Sequence, residues 1–369
     1  MLRLVHRDGP LPRARITAET GLNRSTVASL VAELAEGGLV AERAPDATNR
    51  VGRPSPIVAA SDRVGAIAVN PEIDAVTLAV VALDRSVRLR RRIETDGAPD
   101  PETAVGLVRD AVEDWRAGPL AGHRIVGVGL AVPGLVRAED GLVRWAPHLG
   151  WREAPIRELV EAALGLPAVV GNDASLGAHA EHLFGAGRGD RDLVYLNGGA
   201  SGIGGGLVVD GRLVGGAGGY AGEFGRNRPG IAADDDRRAP GGVLEDEVNR
   251  QRLLEVAGLA TADEPTLAAA LLERPGAGVA AELARQRRIL ATALGNAVNV
   301  LNPAAVVLGG FIATLLESDP DGLRELVAAQ TVPAAFDGVE LRPAELGEDR
   351  LAIGAAEAAF HAILRDPLG

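Results

Sequence analysis

Cysteine and lysine are both missing from the 369 residues. Without cysteine there are no disulfides and no thiolate metal site. Without lysine there is no lysine nucleophile and no lysine-dependent phosphate loop, and every basic charge is an arginine. Six scattered histidines do not suggest a structural zinc site. No apolar run reaches the roughly 18 residues that a membrane span needs. The N-terminal MLRLVHRDGP is too short and too interrupted for a secretion signal. These absences describe a soluble cytoplasmic chain with no membrane partner. At 47 % hydrophobic and 24 % charged residues it is globular, and its length suits two or three domains.

The net charge is −12, but it is unevenly spread. The first 60 residues carry eight arginines against six acids; the remainder carries 30 against 44. An acidic body repels nucleic acid, so any DNA contact must sit on a small basic face.

That face is readable in RITAETGLNRSTVASLVAELAEGGLV. A short helix is expected over about 15–20, and Gly21 permits a positive-φ turn. Asn23 or Ser25 can cap a second helix running to about Glu36. Val27, Leu30, Val31 and Leu34 fall on one side of it at helical spacing. Arg24, Ser25, Thr26 and Ser29 fall on the other, as small or planar polar groups suited to base edges and phosphates in a major groove. A helical hairpin that touches nothing would share this pattern. The next segment separates the two readings. Residues 39–43 and 57–60 can pair as a two-stranded wing around the loop APDATNRVGRPSP. Arg50 and Arg53 sit on a slim, extended tip that suits a narrow, electronegative minor groove. Residues 1–62 thus read as a small α+β winged helix-turn-helix domain whose partner is operator DNA.

After Ser61 the texture changes to strands and helices separated by glycines. Expected strands are GAIAVN, AVTLAVVAL, IVGVGLAV, AVVG, LVYLN, GIGGGLVV and AAVVLGG. Helical stretches lie near 102–116, 152–164, 174–184, 244–257, 279–301 and 351–364. The arginine-rich SVRLRRRIE alternates around Val87, Leu89 and Ile93, as a half-buried strand with a solvated face does. Strands mixed with helices give an α/β class. Consecutive strands near Gly65 and again near Leu193 suggest two lobes, although the two halves are too dissimilar to be called a repeat.

Five segments, in order, resemble the ROK family (repressors, open reading frames and kinases) in its transcriptional-regulator branch. They are VGVGLAVPGLV, WAPHLGW, GNDASLGAHAEHLFGAG, GIGGGLVVDGRLVGGAGGYAGEFG and VNVLNPAAVVLGG. The resemblance extends over about 65–360. It implies that residues 63–369 form an actin/hexokinase-like two-lobed domain with a sugar cleft.

The resemblance also assigns roles. Asp173 matches the family's catalytic base, although Asn172 and Asp173 at a helix start are equally ordinary capping residues. Glu223 and Glu245 match carboxylates that accept hydrogen bonds from sugar hydroxyls, one hydroxyl per oxygen. His148 stands where the family has asparagine. Arg226 stands where it has a histidine shared between zinc and sugar. The zinc cysteines are replaced across GIAADDDRRAPGGVLE, so no metal and no cofactor are expected; Asp234, Asp235 and Asp236 read as a solvated charge run. Arg226 implies either an acidic or phosphorylated ligand, or a pairing with Glu223 that blocks the site.

A kinase also needs bare backbone beside the nucleotide phosphates. The family's Asp-x-Gly-Gly-Thr turn is replaced by Asn70-Pro71-Glu72-Ile73-Asp74. Ile73 would obstruct the approach, and Glu72 beside a phosphate would cost on the order of a few kcal/mol. The second glycine stretch, ASGIGGG, is kept. The sequence therefore predicts a regulator with a vestigial base in Asp173. Its sugar-binding set is His148, Asn172, Asp173, Glu223, Arg226 and Glu245. A sugar effector and a homodimer or homotetramer are expected. The rivals are an ATP-dependent sugar kinase with an appended DNA-binding head, and a DNA-binding protein blind to sugars.

Overall fold

Asn23 fixes the start of the most regular N-terminal element. Its side chain accepts the Thr26 N–H at 2.8 Å, and the helix runs Arg24–Glu36. The computed structural model describes residues 1–44, 55–273 and 275–368. A helix Arg13–Thr20 precedes the turn, in which Gly21 adopts φ 68°, a left-handed conformation that costs glycine nothing. Val27, Val31 and Leu34 are buried, whereas Leu30 is only half-buried. Strands Val40–Arg43 and Ile57–Ala60 pair antiparallel, and a short third strand, Leu11–Pro12, joins the free side of the second. Arg50 and Arg53 lie outside the described residues, so the wing tip they were assigned to has no structural account.

Leu2–Asp8 is a helix, with Leu2, Val5 and His6 buried. It is anchored well beyond the N-terminal elements. The His6 ring nitrogens lie 2.6 Å from the Leu83 carbonyl and 2.7 Å from a Glu357 carboxylate oxygen. Arg3 donates to the Leu364 carbonyl at 2.8 Å.

The chain divides into two compact units. The first comprises Met1–Gly134, Asp140–Gly171 and Leu351–Gly369; the second comprises Leu135–Glu139 and Asn172–Arg350. In the first, five strands take the order Ala168–Asn172, Arg124–Val132, Val64–Pro71, Ala75–Ala82, Val87–Glu94. The three consecutive strands from Val64 run antiparallel to one another, and Arg124–Val132 joins them in parallel. The second unit repeats this plan. Its order is Glu340–Pro343, Ala305–Gly310, Leu193–Gly199, Gly202–Val209, Arg212–Leu213. Three consecutive antiparallel strands are again extended by parallel ones. The two halves that share little sequence thus share a topology.

Val87–Glu94 alternates half-buried and exposed along its length. Its outward arginines are met by acids: Arg88 by Asp62 and Asp84, Arg92 by Asp74. This edge strand is the solvated face that the alternation implied.

Three expectations need correction. The stretch 152–164 is not one helix: Trp151–Ala154 is a strand and the helix begins at Ile156. Pro155 forces the break, because proline disfavours helix in the residue before it. The stretch 244–257 is two helices, Leu244–Glu247 and Arg250–Ala257. Asn249 interrupts them by capping the second through the Gln251 and Arg252 N–H groups. Helices Glu264–Leu272, Phe311–Glu317 and Pro320–Ala328 were not anticipated. No described helix is long and apolar enough to cross a membrane.

Candidate functional site

The site is built at the start of helix Asp173–Phe184, which leaves strand Ala168–Asn172. Asn172 caps this helix by accepting the Ser175 N–H at 3.0 Å. Its amide also donates to Asp173 at 3.2 Å, and Asp173 accepts the Ala174 N–H at 2.8 Å. Both residues are thus held by the helix start, as the capping reading required. Burial pushes the Asp173 carboxyl up to about 6. The Ala174 N–H and the Arg350 guanidinium pull the other way, and nearby Glu223 adds to the rise.

Glu223 lies near this carboxylate, and Glu245 and Arg226 lie near Glu223. Glu223 is raised by burial and then by the charge of Glu245, with Arg226 in partial opposition. Arg226 pairs with Glu245 at 3.0 Å; the pairing anticipated with Glu223 is not the one that forms this bridge. The second Glu245 oxygen accepts the Ile203 N–H at 3.3 Å. Gly202, at φ 129°, and Gly225 leave room for it: a Cβ on either would fall 2.5 or 2.7 Å from that oxygen. His148 lies in the first unit, exposed on the single turn Pro147–Leu149.

Sequence reasoning missed the groups behind Asp173. Tyr195 is fully buried and donates to Asn197 at 3.2 Å. Arg350 donates to the Gly347 carbonyl at 2.8 Å and reaches Glu264 at 3.4 Å. Nothing flagged them: LVYLN reads as core, and Arg350 lies far along the chain.

The glycine stretch has a packing explanation. Gly204 faces the Ala174 methyl, which an added Cβ would meet at 2.6 Å; Gly206 meets Ala178 more closely still. Gly205 faces Phe224 and the Gly222 carbonyl. These glycines let the Asp173 helix and the Glu223 loop approach opposite faces of one strand. At the other motif position, Glu72 fills the hairpin turn. It accepts from Thr77 at 2.6 Å and from Asn70 at 3.3 Å, and lies 3.5 Å from Arg92. Ile73 is 47 % exposed.

Among the described residues, no group of three His, Cys, Asp or Glu is arranged to hold a metal ion. Asp236 is not solvated as expected of its run, because Arg288 grips it with two bonds at 2.6 and 2.8 Å. At the DNA-facing candidates, Arg24, Ser25 and Ser29 are exposed and Thr26 is half-buried. The Ser25 hydroxyl donates to Asn23 at 2.7 Å and that of Ser29 to Glu33 at 3.1 Å.

Two mixed five-stranded units of one topology, with paired acids beside a helix start in the second, define the actin/hexokinase-like class. A crystal structure of a ROK family transcriptional regulator, described as a homologue of the E. coli MLC protein, aligns over 99 % of this chain and 96 % of its own, with TM-score 0.77 and 21 % identity. The family model "ROK family" matches residues 67–243. A glucokinase of Halalkalibacterium halodurans is 30 % identical over 277 residues, covering 67 % of this chain and 82 % of that one. A xylose repressor of Caldicellulosiruptor bescii is 27 % identical over 365 residues, covering 93 % and 90 %. The chain belongs to the ROK family.

Proposed function

We propose that the chain is a sugar-responsive transcriptional repressor, with residues 1–62 binding operator DNA and residues 63–369 sensing a sugar. The supporting observation is a contrast between two motifs. The acids suited to hydroxyl groups, Asp173, Glu223 and Glu245, cluster in the second unit. The turn at 70–74, where family kinases approach phosphate, instead presents Glu72 in a closed hydrogen-bond network. Similarity to a xylose repressor over most of both chains supports the same reading.

Arg226 bridges to Glu245 and only partly offsets the charge of Glu223, which leaves Asp173 and Glu223 as acceptors for a ligand. That balance favours a neutral sugar over an acidic or phosphorylated one. Asn172 completes the proposed contact set in the second unit. Arg24, Ser25, Thr26 and Ser29 face the major groove, and Arg50 and Arg53 the minor groove. The repressor acts as a homodimer on two half-sites. Sugar binding favours the state in which the two heads no longer match the half-site spacing.

A second reading, a sugar kinase, is favoured by the 30 % identity to a glucokinase. It requires a nucleotide phosphate to tolerate Glu72, and the packing role of Gly204–Gly206 removes the other reason to invoke one.

Selection of bound fragments from genomic DNA, followed by fluorescence anisotropy at several salt concentrations, tests the regulator. A defined sequence is expected to be enriched, and Arg24→Ala to weaken binding and lower the salt slope by about 1 if it contacts a phosphate. Failure to enrich any sequence, with sugar-dependent ADP release that Asp173→Asn abolishes, would establish the kinase instead.

A further inference from the structure

The segment 227–249 leaves the carboxylate site after Arg226 and returns to it with Glu245. It contains no strand and only the single turns Asp234–Asp236 and Leu244–Glu247; the Leu244 N–H donates to the Asn227 carbonyl at 2.8 Å and joins its ends, but no backbone ladder fixes the path between them. Something else must hold it, because the Glu245 niche is tight. One carboxylate oxygen sits where a Cβ on Gly202 or Gly225 would collide, while the other meets Arg226 at 3.0 Å. A displacement of about an ångström would unseat both bonds.

The long helix Ala277–Leu301 supplies the hold from one stripe, Glu282, Arg285, Gln286 and Arg288. Arg285 is 2 % exposed and Glu247 is fully buried. All five guanidinium hydrogens of Arg285 have an acceptor. Nε donates to Glu282 at 2.9 Å. Nη1 donates to the Asp236 carbonyl at 2.7 Å and to the Glu247 carboxylate at 3.0 Å. Nη2 donates to the Glu247 carbonyl at 2.7 Å and to Glu282 at 2.6 Å. One side chain therefore ties the outgoing limb of the segment, at Asp236, to the returning limb, at Glu247.

The neighbours extend the tie. The Glu247 carboxylate also accepts the Arg238 N–H at 3.0 Å and the Ala239 N–H at 2.8 Å. Gln286 accepts the Asn249 N–H and donates to the Asn249 carbonyl, each at 3.1 Å. Asn249 in turn donates to the Glu245 carbonyl at 3.2 Å.

We infer that Arg285 is a positioning residue of the sugar site, holding Glu245 and Arg226 in register through its five-bond clamp on residues 236–249. This rests on the sugar-site reading above. Leu244, Val248, Leu283 and Ile289 form a hydrophobic cluster beside the clamp, so apolar packing was available here. A planar fork adds what packing lacks, a direction for each bond. An ammonium group has only three donors and no plane, so lysine cannot reproduce it.

The test compares wild type, Arg285→Lys and a control, Glu181→Gln. Glu181 is equally buried in the same unit and accepts the N–H groups of Ala186, Glu345 and Leu346, but takes no part in this clamp. Thermal melts rank the variants by stability. Calorimetry measures affinity for D-xylose and D-glucose, and hydrogen–deuterium exchange follows peptides spanning 236–249. Arg285→Lys is expected to bind the sugar that wild type binds at least tenfold more weakly and to exchange faster across 236–249. Glu181→Gln should keep wild-type affinity and protection there even where its melting temperature falls as far. Arg285→Lys within twofold of wild type in affinity, or affinity that simply tracks melting temperature in both variants, would overturn the inference. If wild type binds neither sugar, the neutral-sugar reading fails on those probes. Unchanged exchange at 236–249 in Arg285→Lys would still overturn the clamp, and faster exchange there would still support it. Should Arg285→Lys not fold, Glu282→Gln removes part of the fork's support and is read the same way.

Discussion

Asp173 helps hold a helix start and is proposed to face the ligand. Its carboxyl is held up to about 6 by burial, with Glu223 adding to that and Ala174 and Arg350 opposing it. A sugar hydroxyl donates best to the ionised form, so affinity should rise as pH increases through about 6 and level off above 7. Calorimetry between pH 5 and 8 measures this. Asp173→Asn should weaken binding and flatten the profile, and a pH-independent wild type would count against a ligand-facing Asp173. Asp173, Glu223 and Glu245 were readable in sequence because each lies in a short motif. The partner of Arg226 was not, since choosing Glu245 over Glu223 depends on where the loop 227–243 returns. Arg350 and Tyr195 were invisible for a similar reason: each is an ordinary residue until the fold brings it behind the site.

The anchoring of helix Leu2–Asp8 shows what an element contributes beyond its own residues. A carbonyl can only accept, so the His6 nitrogen facing Leu83 must carry a proton; the other faces a Glu357 carboxylate. Burial alone would lower the imidazole pKa. The Glu357 hydrogen bond and charge, with the Leu83 carbonyl, outweigh burial and the repulsion of Arg85, and raise it. Phe360 packs edge-on against the ring. A raised pKa in the folded state gives a stabilisation that is complete below the unfolded value of 6.5 and lost as pH rises through the folded value. The stability difference between wild type and Glu357→Gln, from urea unfolding, should therefore shrink from pH 6.5 upward; a difference that grows with pH would contradict the protonated pair. Strands rich in valine and leucine were legible because their runs are long and bounded by glycine. The breaks within 152–164 and 244–257 were not, because Pro155 and Asn249 act through a local backbone break inside apolar patterns that look continuous.

For the whole molecule, the two units share a strand order that their sequences barely record. Side chains on a repeated topology are free to diverge wherever one half carries chemistry that the other does not. Asp173, Glu223 and Glu245 lie in the second unit, and the turn at 70–74 in the first carries Glu72 and Ile73. On the proposed function, the acids of the second unit would report a bound sugar to a DNA-binding surface on the N-terminal helices.

The most direct measurement is the anisotropy of a labelled operator duplex, bound at fixed salt and pH 7.5, while D-xylose or D-glucose is titrated against wild type and Asp173→Asn, with ADP release followed in parallel in the presence of ATP and magnesium. One sugar is expected to release the duplex from wild type, Asp173→Asn to bind the duplex equally well but hold it at the same sugar concentration, and neither protein to form ADP. Sugar-dependent ADP formation by wild type alone, with the bound duplex unaffected by sugar in both proteins, would contradict the proposed function.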